Sequence, residues 1–171
     1  GPVVDARGEG SGTGPRRRSR QTRQMIEASR ILVALKDPDQ VEELTALACM
    51  LAQAGKGKEI LALHVIQIPR SLPLETELTA EIDVGEAMLA KAQAVAEERF
   101  DLEIRTELLQ AREAAPAILE EAKEKGVDLI ILGYNRRWRF GDRLLQATTL
   151  EYVVRHASCQ VLLSVSPTKG A

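Results

Sequence analysis

A single α/β domain, with a five-stranded parallel sheet wound by helices on both faces in the Rossmann-like manner, is the architecture this sequence predicts. Three observations predict it. Five short apolar runs alternate with four longer stretches whose apolar residues recur at helical spacing, in the order β-α-β-α-β-α-β-α-β. The runs are nearly continuous in Leu, Ile and Val, as strands buried on both faces are. The 171 residues suffice for one such domain rather than two.

The elements follow in order. Ile31–Leu35 reads as the first strand. The stretch from Asp39 to Ala54 carries Val41, Leu44, Leu47, Ala48 and Leu51 at helical spacing. Asp37 or Asp39 is placed to cap it, Pro38 suits its entry, and Gly55 and Gly57 end it. Ile60–Ile66 is the second strand, and Pro69 to Pro73 a turn-rich connector. Leu78 to Phe100 reads as a long helix with Ala87, Ala90, Ala94 and Val95 as its packing face. Leu102–Leu108 is the third strand. Pro116 marks the start of a helix that buries Ile118, Leu119 and Ala122. Val127–Leu132 is the fourth strand, Leu144–His156 the last helix and Val161–Val165 the last strand.

Residues 1–28 differ from the rest. Gly1-Pro2 reads as an expression scar. Gly8, Gly10, Gly12 and Gly14 precede a cluster of Arg16, Arg17, Arg18, Arg20 and Arg23 without hydrophobic periodicity, which predicts a flexible linker. A polybasic linker of this kind suits a membrane-adjacent position. The folded domain is expected over 29–167, with a tail at 168–171.

Composition narrows the function. The apolar fraction is 44% but aromatics are only 3%, so the core must come from Leu, Ile, Val and Ala. A formal net charge of -2 argues against nucleic acid as a partner. No run of about 18 apolar residues is present, so no bilayer-spanning segment is expected. Cys49 and Cys159 sit in apolar contexts without metal spacing, and two histidines are too few to suggest zinc. His64 reads as a core histidine and His156 as a helix-end residue. Glu120, Glu121, Lys123, Glu124 and Lys125 read as a solvated helix face. No nucleophile–base pair, metal ligand set or Walker lysine motif appears, so neither catalytic nor metal-binding residues are expected.

In a parallel sheet, ligands bind outside the carboxyl ends of the strands, where the strand order reverses. Those ends are Leu35-Lys36, Ile66-Gln67 and Gly133-Tyr134. At the last of them, a strand delivers Gly133 into a loop that leads to a helix, the usual way of presenting backbone N–H groups to a phosphate. The loop holds Arg136, Arg137, Arg139 and Arg143, and the only tryptophan, Trp138. Guanidinium groups suit phosphates and an indole suits a base.

The opening RILVAL, the run ILALHVIQIP, the strand VDLIILG and the closing LEYVVRHASCQVLLSV, at their spacing, resemble the universal stress protein family across about 30–166. The resemblance implies a five-stranded parallel sheet of the adenine nucleotide alpha hydrolase-like type, and a homodimer formed through the last strand, here Val161, Leu162, Leu163, Ser164 and Val165. It also implies adenine-nucleotide binding through an acidic residue after the first strand and a G-x-x-G-(x)9-G-[ST] signature. This chain departs from that pattern. Gly133 matches the first glycine, Arg136 takes the second glycine's place, Ala147-Thr148 fall on the third glycine and its hydroxyl, and Lys36 replaces the acid. A Cβ at those glycine positions opposes close approach of a phosphate.

The expected nucleotide-binding residues are Ala34, Leu35, Lys36 and Val65 from the first two strands, Gly133, Tyr134, Arg136 and Arg137 from the basic loop, and Ala147, Thr148 and Thr149 from the last helix. The expected ligand is ATP, AMP or cyclic di-AMP, with Mg entering only alongside ATP. RILVALKDP and IPRSLPLE are similar to family members fused behind membrane transporters such as amino-acid permeases and cation antiporters. The resemblance therefore implies a regulatory domain joined to a transporter in cis or in trans, at the cytoplasmic face of the cell membrane. A dimerisation scaffold that has lost nucleotide binding, and a stand-alone ATP-binding stress protein, are the alternatives.

Overall fold

The computed structural model describes residues 29–55 and 59–167. The expected linker over 1–28, the tail over 168–171 and Gly57 as a helix end lie outside the described residues. Five strands, β1 (Arg30–Ala34), β2 (Glu59–Gln67), β3 (Arg105–Ala111), β4 (Leu129–Tyr134) and β5 (Gln160–Val165), form one sheet. Every neighbouring pair is parallel, in the order β3-β2-β1-β4-β5. Four helices, α1 (Val41–Ala54), α2 (Thr79–Phe100), α3 (Ala114–Glu124) and α4 (Phe140–His156), cover it.

The continuous apolar runs are explained by burial on both sides. Ile31, Val33, Ile60, Ala62, Leu129 and Ile131 point to one face, against Leu44, Ala48 and Cys49 of α1 and Met88, Leu89 and Ala92 of α2. Leu32, Leu63, Ile130 and Leu132 point to the other, against Ala115, Ile118 and Ala122 of α3 and Val153 of α4. Fully burying one such Leu, Ile or Val side chain contributes about 1.5–3 kcal/mol, so the two layers hold the sheet from both sides.

Helix α1 is entered through a 3-10 turn, Pro38–Gln40, where the Asp37 carboxylate accepts the Asp39 N–H at 3.0 Å. Asp37 is therefore the cap. On α2 the packing face is Gly85, Met88, Leu89, Ala92, Val95 and Ala96. Ala87 and Ala90 are exposed, so the alanine-based reading was out of phase. The larger Met88 and Leu89 side chains set the face because they bury more apolar area.

Strand β3 begins three residues later than the apolar pattern suggested. Asp101 adopts a left-handed conformation (φ 52°) and closes α2, its N–H reaching the Glu97 carbonyl and that of Leu102 the Ala96 carbonyl. Ile104 still enters the core, but ahead of the ladder. Similarly, Gly126 (φ 64°) ends α3, the Val127 N–H bonds to the Ala122 carbonyl, and β4 pairing begins at Leu129. Helix α4 starts one turn earlier than expected, at Phe140. Glu121 corrects the solvated-face reading of α3: it is buried, and burial together with the adjacent Glu107 carboxyl pushes its carboxyl up.

Leaving β1, the chain builds β2 and β3 on one side of the sheet and then crosses to place β4 on the other. The order reverses between β1 and β4, so the crevice expected of such a sheet lies beyond Ala34 and Tyr134.

Candidate functional site

Beyond those two strand ends lies a slot that encloses about 60 Å³. Its walls are apolar, from Ala34, Leu63, Val65, Ala114, Ile118, Leu132 and Leu150. Its polar groups are Lys36, Asp37, Gln40, Gln146 and Thr149. A second, wider groove of about 510 Å³ is lined by Lys36, Arg137, Trp138, Arg139, Asp142 and Leu145. Lys36 lines both, so its side chain stands at their junction.

A polar network that the sequence analysis missed holds this junction. Asn135, at the end of β4, is 3% exposed and donates its amide to the Asp37 carboxylate. Its side-chain oxygen accepts the Arg137 N–H at 2.9 Å and the Ser166 hydroxyl at 3.3 Å. Its main chain exchanges two bonds with Gln146 of α4: the Asn135 N–H reaches Gln146 Oε1 at 3.0 Å, and Gln146 Nε2 reaches the Asn135 carbonyl at 3.1 Å. Ser166 Oγ also accepts the Arg136 N–H at 2.9 Å. The loop after β4 is thus tied to β1, to α4 and to the segment after β5 by side chains that are each nearly fully buried. Buried polar groups are stable only when paired in this way. The signal available in the sequence was a scattered set of amides and hydroxyls, namely Asn135 and Ser166 just past strand ends, Gln40 in the turn before α1 and Gln146 inside α4. Such residues carry no spacing that distinguishes them from loop residues.

Gly133 has a packing role. A Cβ there would lie 2.6 Å from Gln40 Oε1 and 2.8 Å from Leu44 Cδ1. Gln40 uses that space to donate to the Tyr134 carbonyl at 3.3 Å. The room that the missing side chain creates is taken by Gln40 rather than left open for a phosphate.

Of the residues singled out in the sequence, Ala34, Leu35, Lys36, Val65, Gly133 and Thr149 line the slot. Arg137 lines the groove, together with Arg139 and Trp138. Tyr134 is half-buried at the end of β4, and Arg136 is exposed. Ala147 and Thr148 are exposed on the outer side of α4, and the Thr148 hydroxyl donates to the Leu144 carbonyl one turn back, at 2.9 Å. It is Thr149 that faces the slot, three residues on from the inward Gln146 and on the same side of the helix.

Burial pulls the Lys36 ammonium below the ordinary lysine range, while the Asp142 carboxylate opposes part of that shift. Its Nζ lies 5.9 Å from the Trp138 ring centroid. His64 lies in β2 with Nδ1 2.6 Å from the Leu35 carbonyl. A carbonyl only accepts, so Nδ1 carries the proton of the neutral ring. Burial is the main cause that pushes this imidazole down, and the nearby Lys36 charge adds to it. His156 stacks on Tyr152 and spends Nδ1 on the Tyr152 carbonyl at 2.8 Å. Among the described residues no group of three or more His, Cys, Asp or Glu side chains gathers at one point.

Strand β5 is an edge of the sheet. Of the residues expected at a dimer contact, Leu163 and Val165 are exposed, and Val161, Leu162 and Ser164 are half-buried. Among the described residues no helix is long and apolar enough to cross a membrane.

Comparison with known proteins agrees with this geometry. The model of the Universal stress protein family matches residues 27–164. The universal stress protein A homolog 2 of Coxiella burnetii is 31% identical over 142 residues, which cover 81% of this chain and 95% of that protein. The universal stress protein of Archaeoglobus fulgidus, solved in complex with dAMP, has the same fold at a TM-score of 0.59 and 18% identity, covering 81% of this chain and 98% of its own. A universal stress protein family protein of Arabidopsis thaliana, solved with AMP bound, aligns at a TM-score of 0.55 and 16% identity, covering 82% of this chain and 93% of its own.

Proposed function

The chain belongs to the universal stress protein family, and on that premise we propose that it is a regulatory domain that binds an adenine nucleotide at the ends of β1 and β4 and catalyses no reaction. The observation that carries this reading is the junction at Lys36. On one side lies an apolar slot suited to a base, on the other a groove with Arg137 and Arg139 suited to phosphates. Neighbours of the same fold hold dAMP and AMP, which supports an adenine ligand here. The ligand is ATP, AMP or cyclic di-AMP, and Mg²⁺ accompanies only ATP.

The altered loop changes how the ligand is held. Where the family signature offers glycines to the phosphates, this chain offers Arg137, Arg139 and Lys36 side chains. The slot is far smaller than the roughly 300–1,000 Å³ of a typical ligand site, so binding requires the side chains around Lys36 to part, and Trp138, whose ring centroid lies 5.9 Å from Lys36 Nζ, reports that movement. A ligand that favours the opened loop shifts the domain between two states. Through β5, whose Leu163 and Val165 are exposed, the domain pairs with a second copy. Through its Arg-rich N-terminal segment it is joined to a membrane transporter, in cis or as a separate partner at the cytoplasmic face, whose activity those states modulate.

One observation favours the scaffold reading instead. The polar groups of the Asp37–Asn135–Gln146 network satisfy one another without a ligand. The test is Trp138 emission during titration with each nucleotide, in the wild type and in Lys36→Met combined with Arg137→Glu. The sensor reading expects a saturable change that the double variant weakens by about tenfold or more. The same affinity in both proteins would remove these two residues from the site, and no change with any nucleotide would favour the scaffold.

A further inference from the structure

Helix α4 packs poorly for its length. Of its 17 residues only Gln146 and Val153 are buried. Its first turns instead push apolar side chains into solvent: Phe140 is 70% exposed, Leu144 53% and Leu145 61%. Phe140 and Leu144 are four residues apart and share one side of the helix, away from the Gln146 face that bonds to Asn135. They line neither the slot nor the groove.

The charges around these tips are strongly one-sided. Arg136, Arg137 and Arg139 are exposed just before the helix, Arg143 follows on its first turn, and Asp142 is the one acidic residue between positions 136 and 145. The chain as a whole carries -2, so this end reverses the sign of the molecule. The Arg143 guanidinium lies 5.9 Å from the Phe140 ring centroid, so cation and apolar tip are presented together. Half-buried Trp138 stands beside them.

Exposed Phe and Leu tips ringed by arginines, with a tryptophan at the edge, form the pattern that holds a helix in the headgroup layer of an anionic bilayer. A stable protein contact needs about 800 Å² and 20–30 residues a side, whereas the cationic end of α4 offers three apolar tips, with exposed Tyr152 and Val154 standing further along the helix, away from these arginines. A bilayer needs only that a few tips enter while the cations stay at phosphate level. We propose that the 138–145 segment docks this domain on an anionic membrane surface, with Phe140 and Leu144 entering the acyl boundary and the surrounding arginines holding lipid phosphates.

The experiment is co-sedimentation of the full chain with vesicles of phosphatidylcholine, with or without roughly one third phosphatidylglycerol, alongside Trp138 emission. The expected result is binding to the anionic vesicles at about 0.1 M salt, a blue shift of Trp138, and loss of most binding at several times that salt. Phe140→Ser with Leu144→Ser should weaken partitioning by roughly tenfold or more while leaving the circular dichroism spectrum and any nucleotide affinity unchanged. Arg139→Gln should weaken it less. Failure of the wild type to bind anionic vesicles overturns the proposal. So does binding that ignores Phe140→Ser/Leu144→Ser, since that is charge alone. If the wild type ignores vesicles and the double variant turns a dimer into a monomer, the face is a protein contact and the proposal falls. Because the double variant spares the cleft, loss of lipid binding and loss of nucleotide binding are read separately.

Discussion

Replacing Asn135 by Ala removes the centre of the network that ties the loop after β4 to β1. The side chain makes three bonds: one to the Asp37 carboxylate, one from the Arg137 N–H and one from the Ser166 hydroxyl. A hydrogen bond to a charged group contributes about 1.5–3 kcal/mol and a neutral one about 1 kcal/mol. Arg137 is exposed, so its N–H can turn to water and that bond adds little. Asp37 is 5% exposed and, among the described residues, keeps only the Asp39 N–H as partner, so its loss is felt in full. The expected destabilisation is about 2–4 kcal/mol, or roughly 4–16 °C in Tm for a domain of this size. Urea unfolding followed by circular dichroism measures it. Adding Asp37→Ala and Asp37→Ala/Asn135→Ala completes a double-mutant cycle, with an expected coupling of about 1–3 kcal/mol. The Trp138 backbone N–H bonds to the Asn135 carbonyl at 3.4 Å, so Trp138 follows this loop, and a loop loosened by Asn135→Ala should shift the native emission to the red. A coupling below about 0.5 kcal/mol would refute the claim that this pair pins the loop.

Three further outcomes are expected. Gly85→Ala places a Cβ 2.7 Å from His64 Cδ2 and 2.8 Å from Leu108 Cδ1, and the bond to the Leu35 carbonyl restrains the ring. Overpacking of about 1–3 kcal/mol outweighs the helix propensity gain of about 1 kcal/mol, so thermal unfolding should show a lower Tm, and an unchanged or raised Tm would disprove the packing argument. His64 has a folded pKa below 6.5, so the unfolded chain binds more protons in the window between the two values. Stability should fall as pH drops from 6.5 through the lowered value, and His64→Gln should flatten that part of the pH profile. Leu163→Lys with Val165→Lys on the β5 edge should turn a dimer into a monomer by sedimentation velocity, and a surviving dimer would move the interface elsewhere.

The fold was legible because its strands are buried on both faces: Ile31–Leu35 and the run ending at Leu132 can hardly be anything else in an α/β pattern. Strand ends were less legible. Leu102 and Val127 are as apolar as strand residues, but the first follows Asp101 in a left-handed helix cap and the second the Gly126 turn. The phase of α2 was misread because alanines are good helix formers on any side, and Met88 and Leu89 decide the face. At the site, Lys36 and Gly133 were legible from their places at strand ends, and with Val65, which lies inside β2, they line the slot. Thr148 and Thr149 were both legible as candidates, but only the helix phase fixed by the inward Gln146 turns Thr149 to the slot and Thr148 to solvent. The Asn135 network was not legible, because its members meet only in three dimensions.

The central claim is that the slot and groove joined at Lys36 receive an adenine nucleotide. Isothermal titration of the full chain with ATP, AMP and cyclic di-AMP tests it most directly. The account predicts that at least one binds in the micromolar range, with affinity falling at alkaline pH as the depressed Lys36 ammonium loses its proton, earlier than an ordinary lysine would. No heat from any of the three, on a folded protein, would contradict it and leave the scaffold reading in its place.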